Sequence, residues 1–158
     1  MWGWETKIVA PEFPIKKESN NQSTNVDYLL YRKQNSSAED AWLFVELKTD
    51  KGSFDEAQYY TYKRAQVAGM AKLREDLNRI YIKTREKEKY EALFEKLGSS
   101  DFNRPIELVY LIPSGSKRPE PEEGLNILTF KQLSELELNR FPLAWQAFRD
   151  VIVGSIDP

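Results

Sequence analysis

Residues Ile106 to Ile112 read IELVYLI, a nearly continuous apolar run of strand length. Such a run suits a strand buried on both faces, which places it inside a sheet rather than at its rim. Three more strand-like runs precede it. Thr6 to Ile15 is interrupted by Pro11 and Pro14. Proline cannot donate to a ladder, so this run fits an edge or bent strand. Asn25 to Arg32 (NVDYLLYR) and Ala41 to Thr49 (AWLFVELKT) have the Val, Tyr, Leu and Phe content of strands. The Ser- and Asn-rich loops between them, Lys16 to Asn25 and Lys33 to Asp40, suit an antiparallel meander.

The period then changes. Ser53 stands three residues before Glu56, the spacing of a capping box, in which hydroxyl and carboxylate each satisfy an orphan backbone N–H. Phe54, Ala57, Gln58, Thr61, Tyr62 and Ala65 follow at helical spacing, and the pattern runs on through Met70, Leu73, Leu77 and Ile80. Small residues at Ala57, Ala65, Ala68 and Gly69 would let this helix lie close on a sheet. A second, highly charged helix with a solvated face is expected over Arg85 to Leu97, ended by Gly98. After the apolar run come a loop at Pro113 to Gly124 and a short strand at Leu125 to Phe130. Two helices follow, at Lys131–Leu138 and Pro142–Val153. The predicted order is β-β-β-α-α-β-β-α-α, an α/β or α+β fold with a mixed sheet. At 158 residues one domain is the natural count.

Composition narrows the chemistry. With no Cys, a disulfide framework, a zinc–thiolate site and a thiol nucleophile are excluded. With no His, Ser-His-Asp hydrolysis, HExxH zincins and His-based nucleases are excluded as well. Catalysis here must run on Asp, Glu, Lys, Tyr, Ser or a hard metal held by carboxylates. No apolar segment approaches bilayer length and no secretory leader pattern opens the chain, so the expectation is a cytoplasmic protein with no membrane association. The formal charge of −2 stands against a protein covered in basic surface, although a carboxylate cluster can mask a basic rim in the total.

The third strand holds the informative residues. Alternation puts Trp42, Phe44, Glu46 and Lys48 on one face. Burying charges at the end of an apolar strand costs several kcal/mol unless they are paired or bind an ion. The second strand repeats the oddity, with Asp27 between Val26 and Tyr28-Leu29-Leu30. Neighbouring strands of a meander can bring the two carboxylates together, and their repulsion favours a divalent cation between them. Taken singly, each feature has an ordinary reading as well. Glu46 and Lys48 can be a half-exposed ion pair, Asp27 can cap a turn, and Gln58 and Tyr62 can be helix-surface and core residues.

Taken together, Val26-Asp27-Tyr28, then Val45-Glu46-Leu47-Lys48, then Gln58 and Tyr62 four apart on one helix, resemble the PD-(D/E)XK nuclease superfamily. The Gln-x-x-x-Tyr element is that of its RecB-like branch. The resemblance covers roughly Thr6 to Tyr62, with later strands in the same order. It implies a single domain with a restriction-endonuclease-like αβββαβ core, a central mixed sheet flanked by helices. It departs from the family in two places. The helix that usually opens the core is expected to be reduced or absent, and Asn25-Val26 stands where a proline usually precedes the Asp. Glu12 is a candidate for the carboxylate that helix often carries.

The resemblance implies catalytic roles for Asp27, Glu46 and Lys48. Asp27 and Glu46, with the Leu47 carbonyl, would hold Mg²⁺ or Mn²⁺. Lys48 would orient water or steady the charged phosphorane, with Gln58 and Tyr62 in support. Lys51, Lys63 and Arg64 are candidates for phosphate contacts. The implied activity is hydrolysis of phosphodiester bonds, most naturally in DNA, in defence, repair or mobile-element biology. A homodimer or a partner protein is compatible with it. The alternative is a catalytically inactive domain of the same fold that binds protein or nucleic acid.

Overall fold

The computed structural model describes residues 4–17, 22–34, 39–52, 54–98, 100–135, 142–152 and 154. The elements run β1 (Trp4–Lys16), β2 (Ser23–Gln34), β3 (Ala41–Leu47), α1 (Glu56–Lys83), α2 (Lys87–Leu97), β4 (Ile106–Ile112), β5 (Leu125–Thr129), α3 (Phe130–Ser134) and α4 (Pro142–Val151). This is the succession expected from periodicity. Five strands form one sheet in the order β1-β2-β3-β4-β5. β1 and β2 pair antiparallel, as do β2 and β3. The Trp42 N–H donates to the Pro105 carbonyl and the Lys48 N–H to the Leu111 carbonyl, each at 2.9 Å. Equal steps in the same direction make β3 and β4 parallel, so the sheet is mixed and the class is α/β. No helix among the described residues is long and apolar enough to cross a membrane.

The chain divides into two compact units, Met1–Glu46 with Glu56–Leu108, and Leu47–Asp55 with Val109–Pro158. In the first unit, β1 lies at the sheet edge, where Pro11 and Pro14 cost no interior ladder bond. It is also irregular, with a register shift between Ile8 and Ala10 and a left-handed backbone at Glu12, φ 49°. Phe13, Val26, Leu29, Trp42 and Tyr62 are at most 1% exposed and form the centre of this unit's core. Trp42 is fixed on three sides. Its Nε1 donates to the Asp101 carbonyl at 3.0 Å, its ring stacks on Phe102 at 5.8 Å, and Tyr31 meets it edge-on at 4.8 Å.

α1 buries Tyr59, Tyr62, Ala65, Met70, Leu73 and Leu77. The steps are three, three, five, three and four, and the irregular step falls at Gly69, whose φ of 79° and ψ of 162° are not helical. A Cβ built at Gly69 would meet nothing within 4 Å. The expectation that small residues admit close approach holds for Ala65, which is buried, and is corrected for the other three: Ala57 and Ala68 are exposed, and Gly69 is needed for its backbone conformation, which kinks the helix. The capping role expected of Ser53 lies outside the described residues. α2 buries Tyr90, Leu93 and Leu97 at helical spacing and stops at Gly98, whose N–H donates to the Phe94 carbonyl at 3.0 Å.

The strand buried at every position from Ala41 to Glu46 is β3. β4 alternates, with Ile106, Leu108, Tyr110 and Ile112 buried and the residues between half-buried. The expectation of two-sided burial from the apolar run at Ile106–Ile112 is corrected accordingly. In the second unit, Phe54 and Tyr110 pack with ring centres 6.0 Å apart. β5 ends one residue earlier than expected because Thr129 caps α3, accepting from the Gln132 N–H at 3.1 Å while the Gln132 side chain accepts from the Thr129 N–H at 2.9 Å.

Candidate active site

The site in the first unit is built where β2, β3 and α1 meet. Along β2 and β3 the register runs Leu30↔Leu43, Leu29↔Phe44, Tyr28↔Val45. That ladder ends at Tyr28↔Val45, and Asp27 and Glu46 are the next residue on each strand. Alternation puts Asp27 on the face of Leu29 and Glu46 on the face of Phe44, the opposed pair two residues back. The β1–β2 register, Pro11↔Tyr28 and Phe13↔Val26, sets Glu12 across from Asp27 in turn. Glu12 is exposed and holds the left-handed backbone of β1; Asp27 is half-buried. Glu46 is only 3% exposed.

A buried carboxylate is costly unless it is hydrogen-bonded, and α1 supplies a bond. The Tyr62 hydroxyl lies 2.8 Å from Glu46 Oε2 and 2.7 Å from the Asn25 carbonyl oxygen. Gln58 Nε2 donates to the same hydroxyl at 2.8 Å. Gln58 and Tyr62 are one helical turn apart, so their side chains meet on one face. A phenol carries one proton, so the Asn25 carbonyl and Glu46 compete for it while Gln58 fills an acceptor position on the oxygen. The Tyr62 ring is itself locked, 1% exposed and edge-on to Phe44 at 6.4 Å. The result is a hydrogen-bonded chain from α1 through Tyr62 that ties β2 to the carboxylate of β3. The sequence names Glu46, Gln58 and Tyr62. It carries no signal for Asn25, which acts through its backbone carbonyl.

Leu47 and Lys48 belong to the second unit. Lys48 lies one residue past the end of β3, not within the strand as the run Ala41 to Thr49 suggests. Its N–H still continues the ladder to Leu111. Its side chain is half-buried, and Lys51 of the same unit is exposed. In the first unit, Lys63 is half-buried, and exposed Arg64 approaches the Thr61 hydroxyl at 3.4 Å.

The donor chemistry fits a hard divalent cation. Mg²⁺ takes oxygen ligands, keeps several waters and is commonly held by one or two carboxylates. Among the described residues no group of three or more acidic, His or Cys side chains converges for metal binding. Asp27 and Glu46 are the two carboxylates that the sequence names for such an ion, and a carboxylate has lone pairs for a metal beside the one that accepts from a phenol. No family model, no curated protein and no solved structure matches the chain.

A second, half-buried acid lies elsewhere in the first unit. Glu107, on β4, is clamped by Arg32 of β2 through two bonds, Nη2 to Oε1 at 2.6 Å and Nη1 to Oε2 at 3.1 Å. Planar guanidinium matched to carboxylate is the structural way to bury such a charge. No sequence motif marks this pair, because Arg32 and Glu107 are far apart in the chain.

Proposed function

We propose that this chain is a Mg²⁺- or Mn²⁺-dependent nuclease that hydrolyses phosphodiester bonds in DNA, built on a restriction-endonuclease-like core. The observation that carries the reading is the hydrogen-bonded chain Gln58–Tyr62–Glu46, with Asp27 one residue beyond the last pair of the β2–β3 ladder. A hydroxyl that fixes a buried acid beside a second acid gives a rigid pair of hard oxygen ligands.

In this reading Asp27 and Glu46 hold the cation, and the Leu47 carbonyl adds a third oxygen. A cation held there would supply a water of lowered pKa and offset charge on the phosphate. Tyr62 sets the orientation of the Glu46 carboxylate, and Gln58 sets that of Tyr62. Lys48 follows Glu46 by two residues and supplies an ammonium to orient the attacking water or to steady the phosphorane oxygens. The net charge of −2 favours the second reading, a silent domain of this fold that only binds.

The two readings separate in a cleavage assay on plasmid and linear DNA with Mn²⁺. The expected outcome is metal-dependent cleavage by the wild type. Asp27→Ala, Glu46→Ala and Lys48→Ala each lower it by about 10²–10³-fold or more, and Gln58→Ala by about 10–100-fold. Cleavage that survives in the Glu46→Ala/Lys48→Ala double variant refutes the assignment. Loss at Gln58 equal to loss at Glu46 reverses the order of roles.

A further inference from the structure

Two concavities of about 440 and 260 Å³ adjoin along α1 and the ends of β1 and β2, sharing Lys16 and Arg79 in their walls. Six cationic side chains line them: Lys16, Lys17, Arg64, Lys72, Arg79 and Lys83. Asp76 is the single carboxylate among the lining residues, and it works as a brace. Lys72 Nζ lies 2.6 Å and Arg79 Nη1 3.4 Å from its Oδ1, so one acid holds two cationic heads along the helix. The chain as a whole is acidic, with charge −2, so this groove departs from the rest of the surface in sign.

We infer that the groove binds the phosphodiester backbone of a nucleic-acid strand and leads it to the site. The cations do not converge on a point, as they would for a lone phosphate. Lys72, Arg79 and Lys83 follow one another along α1 beyond the kink at Gly69, where from Lys72 to Lys83 the helix rises about 16 Å at 1.5 Å per residue, and Arg64 lies before the kink. One strand of duplex DNA presents a phosphate every 3.4 Å or so along its axis, so a linear polyanion offers a phosphate near each of these more widely spaced cations. The concave walls suit a strand better than the flat surface of an anionic bilayer. Two lining residues neighbour site residues in the chain. Thr61 lines it, and the next residue, Tyr62, holds Glu46. Ser23 lines its other wall, two residues before Asn25, whose carbonyl the same hydroxyl reaches. The choice of nucleic acid as the polyanion rests on the nuclease reading; the groove and its charge do not.

The test is equilibrium binding in EDTA, read by anisotropy of a fluorescein-labelled 20-mer as single strand and as duplex, across a salt series. Two double variants remove the same charge. Arg64→Ala/Lys83→Ala strips the groove and leaves the Asp76 brace intact; Lys89→Ala/Lys96→Ala strips exposed positions of α2. The expected result is wild-type binding that weakens steeply with salt. The groove variant binds at least about tenfold more weakly and its log K versus log[salt] slope is shallower by about 1.8 for duplex, at roughly 0.9 per lost contact. The α2 variant stays within about twofold of wild type. No wild-type binding, an equal loss in both variants, or binding only to phosphatidylserine vesicles would overturn the inference. Because the assay contains no metal, groove binding without cleavage in Mn²⁺ sinks the nuclease reading alone. Cleavage with an unaffected groove variant sinks the groove alone.

Discussion

The first unit buries carboxylates in two ways. At Glu107 a guanidinium answers the charge with a bidentate bridge, leaving the Glu side chain 24% and the Arg side chain 11% exposed. At Glu46 the partner from α1 is a phenol, which bonds the acid without cancelling its charge. The first solution is complete in itself. The second fixes one carboxylate oxygen by a hydrogen bond that does not itself supply the opposite charge, an arrangement that suits the holding of a cation.

The difference is open to attack by mutation, beginning where the expected effect is greatest. Arg32→Ala leaves Glu107 half-buried without its guanidinium. It is expected to cost about 2–4 kcal/mol in urea unfolding, somewhat less than the figure for a fully buried pair. The double change Arg32→Leu/Glu107→Leu removes both charges and should recover most of that loss. A double variant as unstable as the single would mean that the pair contributes more than charge balance, and the contrast with Glu46 would blur.

Tyr62→Phe removes the hydroxyl that serves Glu46, Asn25 and Gln58. The expected cost is about 1–3 kcal/mol, the penalty for buried polar groups that lose a partner. Glu46→Gln keeps an oxygen for the hydroxyl and should leave stability unchanged or higher, while still abolishing cleavage. If Glu46→Gln proves the more destabilising of the two, the carboxylate charge itself holds the fold together, and Glu46 joins Glu107 as a structural acid.

The smallest effect concerns a third hydrogen-bonded acid. Tyr31 Oη donates to Asp40 Oδ2 at 3.0 Å. Burial, and then this bond to Asp40, push the Tyr31 phenol above its ordinary value of 10.0. A folded-state value above the unfolded one means that the neutral phenol favours the fold. Its contribution is therefore complete below about pH 10 and is lost as pH rises through the raised value. Tyr31→Phe is expected to cost about 0.5–1.5 kcal/mol at neutral pH and to lessen the decline in stability above pH 10. An unchanged alkaline limb would show that the bond carries no linkage.

What sequence reveals here depends on whether the cause is local. The run IELVYLI lies between Pro105 and Pro113, and its strand, Ile106–Ile112, is legible to the residue. Its burial is not, because the cover on each face depends on distant segments; β3, whose sequence looks no more apolar, is the strand enclosed at every position to Glu46. Gly69 reads as a small packing residue, since composition cannot distinguish a missing Cβ needed for space from one needed for φ. Among the site residues, Gln58 and Tyr62 are visible as a helical pair four apart. Their bond to Glu46 follows from the way α1 crosses the sheet, and Asn25 is invisible because a backbone carbonyl has no sequence signature. The basic groove is half visible, as Lys72, Arg79 and Lys83 recur at helical intervals, while Lys16 and Lys17 join them only through folding.

The central claim is that Asp27 and Glu46 form one cation site, and thermal unfolding with a Mn²⁺ titration tests it most directly. Bound metal should stabilise the wild type by an amount that grows with concentration, about 2.7 kcal/mol when Mn²⁺ reaches a hundred times Kd. Asp27→Asn and Glu46→Gln should each raise the apo midpoint or leave it unchanged, while erasing the Mn²⁺ response. A wild-type midpoint that does not move at millimolar Mn²⁺, or a response that persists in both variants, would contradict the account.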